Sequence, residues 1–83
     1  GRLVASTHRL LVTVRQEKGA AENFKRLLEE RGMTVIDFKA GGKDEEKKHL
    51  TLDLVVRLPK GTTADELMPL LEEHDHIIGI ELK

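Results

Sequence analysis

Eighty-three residues carrying 14 basic and 15 acidic side chains, a net charge of -1 and no cysteine make one small domain with room for a single two-layer core. That balance lacks the clustered cations that grip a nucleic-acid backbone, and the missing thiols exclude disulfides, thiolate catalysis and cysteine metal centres. A hydrophobic share of 39% beside 35% charged residues fits a globular unit with a well-solvated surface, and no apolar run approaches the roughly 20 residues of a bilayer span.

Residues 1–7 carry no clear period and read as a linker or cloning remnant, leaving 8–83 as the single domain. The start at Gly1, with no methionine and no signal peptide, leads us to expect a fragment of a longer chain. From His8 to Gln16 the residues alternate, Leu10, Val12 and Val14 on one face against Arg9, Leu11, Thr13 and Arg15 on the other, which predicts a first strand. Gly19 breaks it. Ala21, Phe24, Leu27 and Leu28 then recur at the spacing of an amphipathic helix over Ala20 to Arg31, with Gly32 as its cap. Met33 to Ala40 reads as a second strand with Ile36 and Phe38 as its core pair, and Gly41 to Lys48, without an apolar residue, as a solvated connection.

Leu50, Leu52, Leu54, Val56 and Leu58 give the strongest signal in the chain, a strand whose inward face contributes roughly 7 to 15 kcal/mol of gross burial. Pro59-Lys60-Gly61 stops it. Thr63-Ala64-Asp65-Glu66 matches a capping box, and Leu67, Leu70, Leu71 and His74 continue at helical spacing. Pro69 predicts that this helix starts later than the box suggests or is distorted there. His76 to Leu82 closes the chain as a fourth strand with Ile78, Ile80 and Leu82 inward.

Strand, helix, strand, strand, helix, strand with right-handed crossovers gives an α+β fold, the ferredoxin-like βαββαβ plait. Its four-stranded antiparallel sheet has the order 4-1-3-2, with two helices on one face. Such a plait serves unrelated functions, so the residues must speak for activity. Base stacking needs exposed aromatics. The chain has two phenylalanines and no Trp or Tyr, and both phenylalanines fit the core better than an open face. No catalytic set emerges: Ser6, the one serine, falls in the lead-in, and the acidic residues suit helix faces and pairs such as Glu22 with Arg26.

His74-Asp75-His76 beside Glu72-Glu73 offers zinc-type ligands. His74 ends a helix and His76 begins a strand, so their rings need not converge, and a helix-end imidazole has a structural use against the helix dipole. His8 and His49 would be neighbours if strands one and three ran parallel. No metal and no cofactor are expected. What remains is a binding module. Arg9, Leu11, Thr13, Asp53, Val55, Arg57 and Ile77 are expected on the sheet face the helices leave bare, a small apolar patch bordered by charge that suits a protein partner or self-association.

His8-Arg9-Leu10-Leu11-Val12-Thr13-Val14, Phe24 to Leu28 before Gly32-Met33-Thr34-Val35, Leu52 to Pro59, Glu66 to Glu72 and Ile77 to Glu81 together resemble an ACT-like domain. More narrowly, they resemble the C-terminal cytoplasmic domain of the MgtC/SapB family of bacterial membrane proteins. The resemblance covers nearly all of the chain from His8 onward. It implies a non-enzymatic regulatory or docking domain on the cytoplasmic side of the cell membrane, attached to a membrane domain linked to magnesium homeostasis and intracellular survival of pathogens. The alternative is an amino-acid-sensing ACT domain, whose ligand lies near the first strand-to-helix turn. Glu17, Gly19 and Ala20 occupy that turn here, without the Asp-Arg-Pro-Gly sequence of the amino-acid binders.

Overall fold

In the computed structural model, which describes residues 5–83, the chain runs β1 (Ala5–Arg15), α1 (Ala20–Glu30), β2 (Thr34–Asp44), β3 (His49–Pro59), a 3-10 turn (Ala64–Leu67), α2 (Met68–Glu73) and β4 (Ile77–Leu82). The strands form one sheet in the order β2-β3-β1-β4, which counted from the β4 edge is 4-1-3-2. Every neighbouring pair is antiparallel. Four antiparallel strands with two helices make an α+β domain consistent with the ferredoxin-like plait.

β1 and β3 pair without a break from Ala5↔Pro59 to Arg15↔His49. The alternation of both strands therefore stays in phase over their whole length. Leu10, Val12 and Val14 of β1 and Leu50, Leu52, Leu54, Val56 and Leu58 of β3 are buried in one cluster with Phe24 and Leu28 of α1, Leu67, and Leu70 of α2. One shared cluster puts both helices on the same face, and the other face carries the odd-numbered residues of these two strands.

Several expectations change with the register. Ala5, Ser6 and Thr7 belong to β1 and face Pro59, Leu58 and Arg57, so the linker expected over 1–7 is strand from Ala5 onward; Gly1 to Val4 lie outside the described residues. The first half of the polar stretch 41–48 is also sheet: β2 runs to Asp44, which pairs with His49, and Glu45 to Lys48 form the turn. An edge arm exposed on both faces needs no apolar alternation, which is why its sequence looks like loop.

Ile36 is not a core residue. The β2–β3 register steps from Val35↔Val56 to Asp37↔Val55, making Ile36 the extra residue of a bulge. Its side chain is 48% exposed, while Val35 and Phe38 pack on the core. A second bulge does the same in β4: Val14 faces Ile77 and Thr13 faces Gly79, so Ile78 is looped out. Ile78 is exposed, Ile80 and Leu82 pack against the core, and Ile77 is buried at 4% exposure.

At the end of α1, Gly32 takes φ +83. Its N–H donates to Glu29 O at 3.0 Å and that of Met33 to Leu28 O at 3.1 Å, the paired bonds of a Schellman cap. The capping box at Thr63 is not formed: Thr63 has the extended backbone of an N-cap but no side-chain cap bond, and Glu66 N–H donates to the Thr63 carbonyl at 3.1 Å. The 3-10 turn precedes α2, which starts at Met68 with Pro69 in its first turn, where the missing donor has no cost.

Candidate functional site

Two surfaces are candidates for a functional site. On the uncovered sheet face, the register sets Arg9 opposite Val55, Leu11 opposite Asp53 and Thr13 opposite Thr51. From the outer strands, Glu81 lies opposite Leu11, Asp37 opposite Val55 and Lys39 opposite Asp53. Arg9, Leu11, Thr13, Asp53, Val55 and Arg57 thus share this face. Ile77, expected with them, does not, because the bulge at Ile78 turns it into the core.

Arg9 holds Asp53 with two parallel hydrogen bonds, Nε donating to Oδ1 at 2.9 Å and Nη2 to Oδ2 at 2.7 Å. These bonds hold the Asp53 carboxyl below its ordinary range, helped by the charges of Arg9 and Lys39 and opposed by partial desolvation; the same pairing raises Arg9. With the side chains 55% and 30% exposed, water screens the pair, which acts mainly as a geometric clamp between β1 and β3.

The second surface is an open cleft of about 350 Å³ between α1 and the turn from α2 to β4. Glu17, Ala20, Asn23, Arg26, Leu27 and Glu30 line one side, and His74 and His76 the other. Gly19, between two of the expected ligand residues, caps α1 in the left-handed conformation at φ 75 and accepts the Asn23 N–H through its carbonyl at 2.9 Å. Glu17 and Ala20 are thus brought to the cleft and Gly19 shapes its rim. Arg26 donates to Asn23 Oδ1 along the helix and does not pair with Glu22. Arg31 and Glu73 form an ion pair linking the helix ends.

His74 and His76 do converge: their ring centroids lie 5.6 Å apart, edge to face at 67°. The sequence hinted at this only through the His-X-His spacing; Asn23, Arg26 and Glu30 carried no comparable signal. Among the described residues, no group of three or more His, Cys, Asp or Glu side chains is placed to hold a metal ion. His8 and His49 are not neighbours. β1 and β3 run antiparallel, His8 faces Val56, and His49 faces Arg15 at the other end. Ser6 instead meets His8, Oγ to Nε2 at 2.7 Å, on the inner face of β1. Neither lines the cleft, and no carboxylate among the described residues hydrogen-bonds that imidazole.

Among the described residues no helix is long and apolar enough to cross a membrane. Comparison with known family models and with curated proteins finds no match to this chain.

Proposed function

We propose that this chain is a non-enzymatic docking domain that pairs its uncovered sheet face with the same face of a second copy. The composition of that face carries the proposal. Leu11 and Val55, half-buried at its middle, are bordered by Arg9, Lys39 and Arg57 and by Asp37, Asp53 and Glu81. Cations and carboxylates in equal number suit a two-fold axis, the commonest symmetry of soluble oligomers. A molecule of 48 × 24 × 21 Å has room for the surface, on the order of 800 Å² per partner, that a stable interface takes. The mutual pairing of Arg9 and Asp53 in the open supports an organising use of these charges over a catalytic one.

The residues that resemble the C-terminal domain of MgtC/SapB proteins support a setting for this docking. In that setting the domain is a regulatory tail on the cytoplasmic side of a membrane protein linked to magnesium homeostasis, and pairing of tails brings the parent membrane domains together.

Sedimentation across a wide concentration range tests the docking. We expect a monomer–dimer equilibrium with a dissociation constant of roughly 1 to 100 µM, abolished by Leu11→Lys. The new ammonium would lie between Asp53 and Glu81, which favour it in the monomer. A chain that stays monomeric throughout, or a dimer indifferent to Leu11→Lys, overturns the proposal.

A second function, small-molecule sensing of the amino-acid kind, is favoured by one observation: Glu17 and Ala20 both line the cleft. A thermal-shift screen separates the two, since a ligand at 100 times its dissociation constant adds about 2.7 kcal/mol. Stabilisation by an amino acid that Glu17→Ala removes would establish sensing.

A further inference from the structure

His74 and His76 are held on a short, fixed turn. His74 is the C-cap of α2 in extended conformation, and its carbonyl accepts the Ile77 N–H at 3.1 Å. The carbonyl of His76 accepts the Arg15 N–H at 2.8 Å, tying the turn to the end of β1. Both backbones are therefore anchored before any ligand arrives, and both side chains are half-buried against the cleft wall. No hydrogen bond joins either ring to another described residue, which leaves lone pairs available.

The ring spacing is informative. Two imidazoles bound to one zinc ion at about 2.0 to 2.1 Å and a tetrahedral angle have ring centres roughly 5 to 5.5 Å apart. The observed separation is 5.6 Å. Across the cleft, Glu17 and Glu30 add negative charge to the same opening, and Arg26 opposes it.

From this geometry we propose that His74 and His76 chelate a divalent transition ion of the zinc class at the mouth of the cleft. The protein supplies two imidazoles and solvent completes the coordination, since no third ligating side chain is in place among the described residues. Such a site is open, unlike a closed four-ligand structural zinc centre. Imidazole ligands select zinc, nickel or copper over magnesium and calcium, which demand oxygen. The site is independent of the docking face, on the other side of the sheet.

Long-range 1H–15N spectra of the four histidines, with titration calorimetry, test it using zinc chloride and magnesium chloride as probes. With about half the ligands of a structural site, zinc should bind with a dissociation constant on the order of 10 to 100 µM. It should shift the ring nitrogens of His74 and His76 and leave those of His8 and His49 in place. Magnesium should do nothing. His74→Ala and His76→Ala should each weaken zinc at least tenfold, and the His8→Ala/His49→Ala double variant should not. Unchanged wild-type spectra at millimolar zinc would overturn the proposal without any variant. So would shifts spread over all four histidines, or affinity that survives loss of His74 or His76.

Discussion

Single side chains in this domain divide by which face of the sheet they meet, and the bulges decide that more than hydrophobicity does. Leu54 and Ile36 are both large and aliphatic, yet Leu54 is fully buried at the centre of β3 and Ile36 is the looped-out residue of β2. Leu54→Ala should cost about 2 to 5 kcal/mol through lost burial and a residual cavity. Ile36→Ser should stay within about 0.5 kcal/mol of the parent. Urea melts of the two variants check this, and equal losses would mean that the bulge does not exist in solution.

Asp53 makes a prediction of a different kind. Its carboxyl is held below the ordinary value of 3.8 in the folded state. A depressed pKa contributes stability that is complete above the unfolded value and disappears as pH falls through the folded one. The stability difference between the parent and Asp53→Asn should therefore be flat above about pH 5 and shrink toward lower pH, and added salt should reduce it throughout. A difference that grows on acidification would show that the clamp to Arg9 is not what holds the carboxylate.

Among the elements, α1 owes its clean ending to Gly32. A side chain there would be forced into the left-handed region at φ +83, although an added Cβ meets no atom within 4 Å. Gly32→Ala should therefore destabilise by about 1 kcal/mol from backbone conformation alone, with no steric component. A thermal melt that rises would contradict the cap geometry. α2 shows the opposite economy: with Pro69 in its first turn and a 3-10 turn in front, it is short and holds its place through Leu67 and Leu70 in the core. The helix delay was legible from Pro69. The failure of Thr63 to cap was not, because a capping box is a local pattern and the 3-10 turn satisfies the same amides through the backbone.

At the scale of the whole molecule, a single-sided sheet leaves its second face to be used. The long unbroken β1–β3 ladder fixes six of the seven expected face residues at once, because a two-residue period carried over a shared register cannot drift. The seventh, Ile77, was lost to one inserted residue. The proposed dimerisation through that face and the proposed zinc capture at the cleft would act on opposite sides of the sheet. Leu11→Lys should therefore abolish the first without touching the second, a separation that sedimentation and calorimetry on the same variant can read.

The sequence by itself determined the element order, the inward leucines of β3 and the plait they imply, because alternation and helical spacing are local signals and the unbroken β1–β3 register preserves them. Only the tertiary structure decided that Ile36 and Ile78 leave the core, that the polar arm 41–44 is sheet, and that two histidines meet Glu17 and Ala20 across one cleft. Bulges and converging side chains depend on how distant strands register against one another, and that pairing energy is not written in any one segment.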